Sequence, residues 1–169
     1  MDAILTRSTT KITEEVKKGS KHRELGEACV ALQAELVESP DGTSAEPHFE
    51  LFRLACESQN ATITIAALDC LEKLMAHGYL RGNVAVQRPE GSAAPVVDKG
   101  DDDAAAPTAE GSDGAALTAA ANGAAPTMLI DLIIETVCGC NDLPDDAVQL
   151  QVIKALLTAT TVDHCEVNE

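Results

Sequence analysis

Apolar residues at helical spacing dominate two stretches of the chain, 48–82 and 127–160. Each stretch predicts a helix, a short break and a second helix, because apolar residues recur every three or four positions on both sides of the break. The segments LDCLEKLM (68–75) and LQVIKALL (150–157) share apolar positions at their first, fourth, seventh and eighth residues. An apolar pattern that repeats in consecutive helix pairs is typical of HEAT-like or armadillo-like stacks, because one pair alone cannot bury its apolar face. With two copies, a chance likeness between amphipathic helices is the alternative, and periodicity leaves both interpretations open.

The first 38 residues predict a further pair of helices. Residues 2–17 carry an apolar stripe, and Gly19 is placed to end that helix. Ser20 is suited to cap the next helix, because its hydroxyl can accept a hydrogen bond from a free backbone N–H. The buried face of this second helix is predicted to contain Leu25, Ala28, Cys29, Leu32, Leu36 and Val37.

The sequence therefore predicts an all-α fold, a HEAT/armadillo-like stack of antiparallel helix pairs. The near absence of aromatic residues, with one Tyr, two Phe and no Trp, fits closely packed helices better than a β-sandwich. The predicted organisation is a helix pair at 1–38, a linker at 39–47, a helix pair at 48–82, an insertion at 83–126, and a helix pair with the truncated start of a next helix at 127–169.

Residues 83–126 consist mainly of Ala, Gly, Asp, Pro and Ser, with few large apolar side chains. Such a tract cannot bury enough apolar surface to offset its conformational entropy, so it is predicted to be a disordered, low-complexity insertion. Because the free energy of loop closure rises slowly with length, we expect it to cost the domain little stability.

Capping residues mark the predicted ends of the later helices. Asn60 is placed as the N-cap of the fourth helix, and Gly78 as the glycine that follows it. Thr127 is predicted to cap the fifth helix, and the sixth is predicted to begin near Pro144–Asp146.

The sixth helix is apolar nearly all round, with Val148, Leu150, Val152, Ile153, Ala155, Leu156 and Leu157. A helix with so little polar surface is predicted to pack on both sides, as an inner helix of a solenoid does. The repeat alignment gives Leu71 and Ile153 equivalent positions, so both are predicted to be buried.

The formal net charge is −16. A field of that sign opposes binding to nucleic acid or to an anionic membrane surface, since both are polyanionic. No apolar run approaches the length that spans a bilayer, and the opening MDAILTRSTTKITEEVKK does not resemble a secretory signal. These features predict a soluble, intracellular protein that does not bind nucleic acid.

Six cysteines raise the question of disulfides and metals. Four of them lie inside predicted helices, so free thiols in a reducing compartment are the prediction. Cys138 and Cys140, with His164 and Cys165, form a possible metal cluster, but a CxC spacing at a helix end does not match a zinc knuckle. No P-loop, nucleophile elbow or HExxH motif occurs either, so neither a cofactor nor catalysis is predicted.

The segment CESQNATITIAALDCLEKLMAHGYLRGN (56–83), together with LIDLIIETVCGC (129–140) and VQLQVIKALLTA (148–159), resembles a known family. That family is the N-terminal dimerisation and cyclophilin-binding (DCB) domain of the large Golgi, brefeldin A-inhibited Arf guanine-nucleotide exchange factors. The likeness is close over about residues 49–82 and 127–169 and looser over 1–38. In the family the helical array continues further, so the resemblance implies that this chain is truncated.

The resemblance implies a non-catalytic regulatory module that acts in trans-Golgi vesicle traffic, since the family's catalytic domain is a separate, downstream one. Its implied partners are an Arf-like small GTPase in the GTP state, a second copy of the protein, and downstream regulatory regions of the same protein. The implied location is the cytoplasm, with peripheral attachment to the trans-Golgi membrane as part of the full-length protein. The resemblance does not say which GTPase binds or whether this chain dimerises alone.

The resemblance also implies a binding site. Lys73 stands in the family motif LDCLxKL, whose lysine faces the GTPase, and His77, Tyr79 and Leu80 follow it at the end of the same helix. Two alternatives stay open: Lys73 is an ordinary solvated lysine, or the whole chain is a structural α-solenoid cap that packs on the rest of its own protein.

Overall fold

The computed structural model describes residues 1–19, 21–38, 44–86 and 127–162. Within these ranges the chain forms six α-helices, two 3₁₀ turns and one pair of two-residue strands. The helices are α1 (Asp2–Lys18), α2 (Arg23–Glu38), α3 (Phe49–Glu57), α4 (Ala61–Ala76), α5 (Leu129–Gly139) and α6 (Asp146–Thr161). The 3₁₀ turns are Glu46–His48 and Cys140–Asp142. The predicted all-α stack of helix pairs is confirmed.

The helices pack in two layers. In one layer α4 lies between α1 and α6, and in the other α3 contacts both α2 and α5. Each consecutive pair also packs within itself, α1 on α2, α3 on α4 and α5 on α6. Because α4 is central to its layer, its apolar residues are the middle of the core; Ile63, Ala67, Leu68, Cys70, Leu71 and Met75 are all fully buried.

Local capping fixes the ends of the central helices, largely as predicted. The side-chain oxygen of Asn60 accepts hydrogen bonds from the Thr62 and Ile63 amides at 3.0 and 3.3 Å, which satisfies two free donors at the start of α4. Gly78 follows α4 with a φ of 71°, a left-handed conformation that costs glycine little. Asp145 caps α6 in the same way as Asn60 caps α4.

The start of α5 differs from the prediction. Thr127 does not cap the helix, because it lies in strand β2 (Thr127–Met128), which pairs antiparallel with β1 (Ala85–Val86). Helix α5 begins at Leu129, whose amide donates to the carbonyl of Val84 at 2.9 Å. The first residues of the predicted insertion are therefore paired with the chain that follows it, whereas the rest, 87–126, lies outside the described residues.

The burial of α6 also corrects the prediction. One face is buried through Val148, Gln151, Val152, Ala155 and Ala159, but the other is not: Leu150, Ile153 and Leu157 are 54%, 63% and 61% exposed. The physical reason is position in the layer, because α6 is an edge helix that contacts α4, α5 and the adjoining 3₁₀ turn. Likewise, Val37 on α2 was predicted to be buried and is 83% exposed.

The thiols are free, as predicted, wherever the structure describes them. Cys29, Cys56, Cys70 and Cys140 are buried, and Cys138 is exposed. Burial raises the pKa of Cys29 to about 11 and that of Cys70 to about 12, because a thiolate loses its hydration inside the core. No helix in the described ranges is both long enough and apolar enough to cross a membrane.

Candidate partner-binding surface

The C-terminal end of α4 carries the residues on which the sequence analysis focused. Lys73 lies in its last turn, and His77, one helical turn further, is the C-cap residue. Positions four apart share a helix face, so both side chains lie along one edge. The ring of Tyr79 follows, with its centroid 6.2 Å from that of His77 and the planes tilted by 42°. We call these three residues, Lys73, His77 and Tyr79, the α4 edge.

The ammonium group of Lys73 is held in place by Asp69. Its Nζ lies 2.7 and 2.6 Å from the two carboxylate oxygens, one helical turn back along α4. The side chains of Lys73 and Asp69 are 38% and 28% exposed, so the pair is partly shielded from water. Lys73 therefore has a partner on its own helix, in an ion pair that stays partly exposed to water.

The turn after α4 is built from backbone hydrogen bonds. The amides of Tyr79 and Leu80 both donate to the Leu74 carbonyl, at 2.9 and 3.2 Å. The Tyr79 carbonyl accepts a 2.7 Å bond from the amide of Ala45, which ties the turn to the chain ahead of α3. Tyr79 is half-buried and His77 is exposed. Leu80 is fully buried, so it supports the turn from beneath and offers no exposed surface to a partner.

A groove of about 400 Å³ runs beside Lys73, between α1, α4 and α6. Its charged lining is balanced and consists of Arg7, Lys11, Glu14, Glu15, Asp69 and Lys73. The cations from α1 were not predicted as part of the site. Arg7 and Lys11 are four residues apart on α1, so the sequence indicates that they share a face of that helix. It does not indicate which other helix packs beside that face.

The structure thus combines charged and aromatic groups near the C-terminal end of α4. Lys73 lines the groove, and the exposed imidazole of His77 and the half-buried ring of Tyr79 follow it along the chain. Among the residues that the structure describes, no group of three or more His, Cys, Asp and Glu side chains could hold a metal ion. In the CxC cluster Cys138 is exposed and Cys140 is buried, and His164 and Cys165 lie outside the described ranges.

Comparison with known protein families identifies the family of this chain. Residues 3–169 match the model of the Mon2/Sec7/BIG1-like dimerisation and cyclophilin-binding domain. The chain therefore belongs to this DCB domain family. The match extends through the N-terminal helix pair, where the likeness seen in the sequence was looser.

The curated relatives of this DCB domain are exchange proteins. The chain is 36% identical to the brefeldin A-inhibited guanine nucleotide-exchange protein 1 of Homo sapiens, over an alignment that covers 98% of the chain. It is equally similar to the Bos taurus protein of the same name. The brefeldin A-inhibited guanine nucleotide-exchange protein 2 of Arabidopsis thaliana is 31% identical to the chain, over an alignment that covers 62% of it.

The DCB chain spans 8% of the length of the human and bovine relatives. It thus corresponds to one small part of proteins whose names state nucleotide exchange. The residues of the α4 edge are present in this chain, but neither the family match nor the relatives' names assign a role to Lys73, His77 or Tyr79.

Proposed function

We propose that this DCB domain is a non-catalytic regulatory module of an Arf guanine-nucleotide exchange factor that acts in trans-Golgi vesicle traffic. Its proposed partner is an Arf-like small GTPase in the GTP state, bound through the α4 edge. The exchange reaction itself is assigned to parts of the longer protein outside this chain. The family membership and the exchange activity named in the relatives support this context.

The observation that carries the proposal is the ion pair of Lys73 with Asp69 at the rim of the groove. A lysine side chain loses rotamer entropy when a partner orders it, and here Asp69 has already restricted it. Lys73 can then attract a carboxylate of the GTPase, while the rings of His77 and Tyr79 contact apolar surface beside it. Leu80 keeps the turn in position from the core.

Preference for the GTP state follows from the partner's chemistry. The γ-phosphate of GTP orders the switch segments of a small GTPase, and hydrolysis releases them. A surface that pairs a fixed cation with aromatic rings matches the ordered segments, which present apolar and charged groups together. In this proposal the GTPase recruits the exchange factor from the cytoplasm to the trans-Golgi membrane, where it is attached peripherally.

The test is capture of the purified chain by immobilised Arf-like GTPase loaded with GTP or with GDP. We expect capture by the GTP form only, and loss of capture when Lys73 is changed to glutamate. Lys21→Glu is the matched control, because Lys21 is an exposed lysine in the α1–α2 turn, near Leu54 and Ser58 at the C-terminal end of α3, and it does not line the groove beside Lys73. Equal capture of both nucleotide forms, or equal loss in both variants, contradicts the proposal.

The exposed apolar face of α6 favours a second candidate function. Leu150, Ile153 and Leu157 lie on one side of that helix and are more than half exposed. In the alternative, the chain is a structural α-solenoid cap that uses this face to pack on the rest of its own protein and binds no GTPase. Changing all three to serine would then weaken its association with the downstream regulatory regions of the same protein, and the parent chain would be captured equally or not at all by the two nucleotide forms of the GTPase.

A further inference from the structure

Two thiols meet where α3 and α5 pack together, in the layer opposite the groove of Lys73. Cys56 lies in the last turn of α3 and is 4% exposed, and Cys140 begins the 3₁₀ turn after α5 and is 2% exposed. Both side chains line one cavity, and they lie close enough for each thiol to shift the pKa of the other. The Cys140 sulfur also lies 3.3 Å from the Thr136 carbonyl, to which it can donate. The two thiols come from different helix pairs, on either side of the insertion.

A cavity gives small molecules a route to these sulfurs. Cys56 and Cys140 both line a cavity of about 170 Å³, which is bordered by Arg53, Gln59 and Gly139 among others. Such a volume admits a molecule of the size of water or hydrogen peroxide but not a protein. Cys29 and Cys70 are buried as well, but neither lines this cavity.

We propose that Cys56 and Cys140 form a redox modification site, in which a small hydroperoxide such as hydrogen peroxide converts the two thiols into a disulfide. The sulfur of Cys140 attacks one peroxide oxygen, the O–O bond breaks, and one water leaves while Cys140 becomes a sulfenic acid. The sulfur of Cys56 then attacks the Cys140 sulfur and displaces a second water. Two thiols are oxidised by two electrons in all, and one hydrogen peroxide is reduced to two waters.

The assignment of roles follows from the environment of each sulfur. The hydrogen bond from Cys56 lowers the pKa of Cys140, since it stabilises the thiolate. The pKa of Cys56 is raised, because that hydrogen bond holds its proton and because it is buried. A thiolate is the nucleophile in such chemistry, so Cys140 reacts first and Cys56 resolves the sulfenic acid.

The disulfide would join the second helix pair to the third. It would link α3 to the end of α5 across the whole insertion and so close a long loop in the unfolded chain. Loop closure of that length restricts the unfolded state, so we expect the melting temperature to rise by about 5–10 °C on oxidation.

The test uses the full 169-residue chain. The reduced protein is treated with hydrogen peroxide, the remaining thiols are alkylated under denaturing conditions, and the digest is analysed by mass spectrometry. We expect one cross-linked peptide pair that contains Cys56 and Cys140, together with a melting temperature that rises and returns on reduction. The variants Cys29→Ser and Cys138→Ser should give the same cross-link.

Variants at the pair itself separate the two roles. In Cys56→Ser the Cys140 sulfenic acid has no resolving thiol and should be trapped by dimedone, whereas Cys140→Ser should give no dimedone adduct at Cys56. Circular dichroism checks that both variants fold, and the wild-type cross-link decides the question if either does not. The proposal is overturned if the wild-type chain gives no Cys56–Cys140 cross-link or if Cys140 pairs with Cys138 instead.

Discussion

Leu71 and Ile153 occupy matching positions in two similar helices of one layer, yet Leu71 is fully buried and Ile153 is 63% exposed. Leu71 belongs to α4, which has neighbours on both sides, whereas Ile153 points away from the core on the edge helix α6. The shared apolar pattern of the two helices therefore does not imply shared burial.

This difference should appear directly in stability. Leu71→Ala should lower the free energy of unfolding by about 2–5 kcal/mol, because it removes packed atoms and leaves a cavity. Ile153→Ala should change it by no more than about 0.5 kcal/mol, as is usual for a surface position. Urea denaturation of both variants checks the prediction, and an equal loss in the two would show that α6 is covered in solution.

Lys73→Glu should separate binding from folding. The partly exposed ion pair with Asp69 contributes little, so the free energy of unfolding should fall by less than about 1 kcal/mol even though a glutamate would face Asp69. The affinity for a GTP-loaded Arf-like GTPase should fall by about tenfold or more, because attraction at the contact is replaced by repulsion. Circular dichroism and isothermal titration calorimetry measure the two effects.

Lys21→Glu carries the same charge change and should leave the affinity near that of the parent chain. Should Lys73→Glu bind as well as the parent at physiological salt, Lys73 is a bystander, and the contact surface must be sought on another face. The exposed face of α6 is then the next surface to test.

Replacing residues 87–126 with a short Gly/Ser linker should shift the melting temperature by no more than about 2–4 °C. The ends of this segment are already adjacent, since Ala85 pairs with Met128 and Val86 with Thr127. Extending the deletion to 83–128 removes that ladder and the bond from the Leu129 amide to Val84, so this control should melt distinctly lower. A large drop for the shorter deletion would show that residues 87–126 stabilise the fold.

Gly82→Ala should be more damaging than an ordinary surface change. Gly82 has a φ of 74°, and a Cβ there would lie 2.7 Å from the Ile130 Cβ and 2.9 Å from its backbone nitrogen. Left-handed strain alone costs about 1–3 kcal/mol for a residue other than glycine, and the contact with Ile130 adds to it. Chemical denaturation should show the loss.

Gly19→Ala is the matched control. Its φ is −141°, and a Cβ meets nothing within 4 Å, so the variant should be neutral or slightly more stable through reduced freedom of the unfolded chain. Equal losses for the two glycines would mean that the approach of Gly82 to Ile130 is not rigid.

Local features of the sequence determined much of the fold. The Asn60 cap, the left-handed Gly78 and the apolar stripe of α4 depend on residues within a few positions of one another, and all were predicted. The start of α6 near Pro144–Asp146 was predicted for the same reason. The family motif could point to Lys73 because the residues of the α4 edge lie close together in the sequence, so a local pattern contains them.

Only the tertiary structure decided which of several apolar or polar surfaces meets another. Helix α6 is apolar nearly all round, so its own pattern could not say that Ile153 faces outward. The pairing of β1 with β2 is two residues long and has no period to read. Cys56 and Cys140 line one cavity because α3 packs on α5, and Arg7 and Lys11 line the same groove as Lys73 because α1 packs on α4. Burial and contact are properties of neighbours that are distant in sequence, so the periodicity of a single segment cannot encode them.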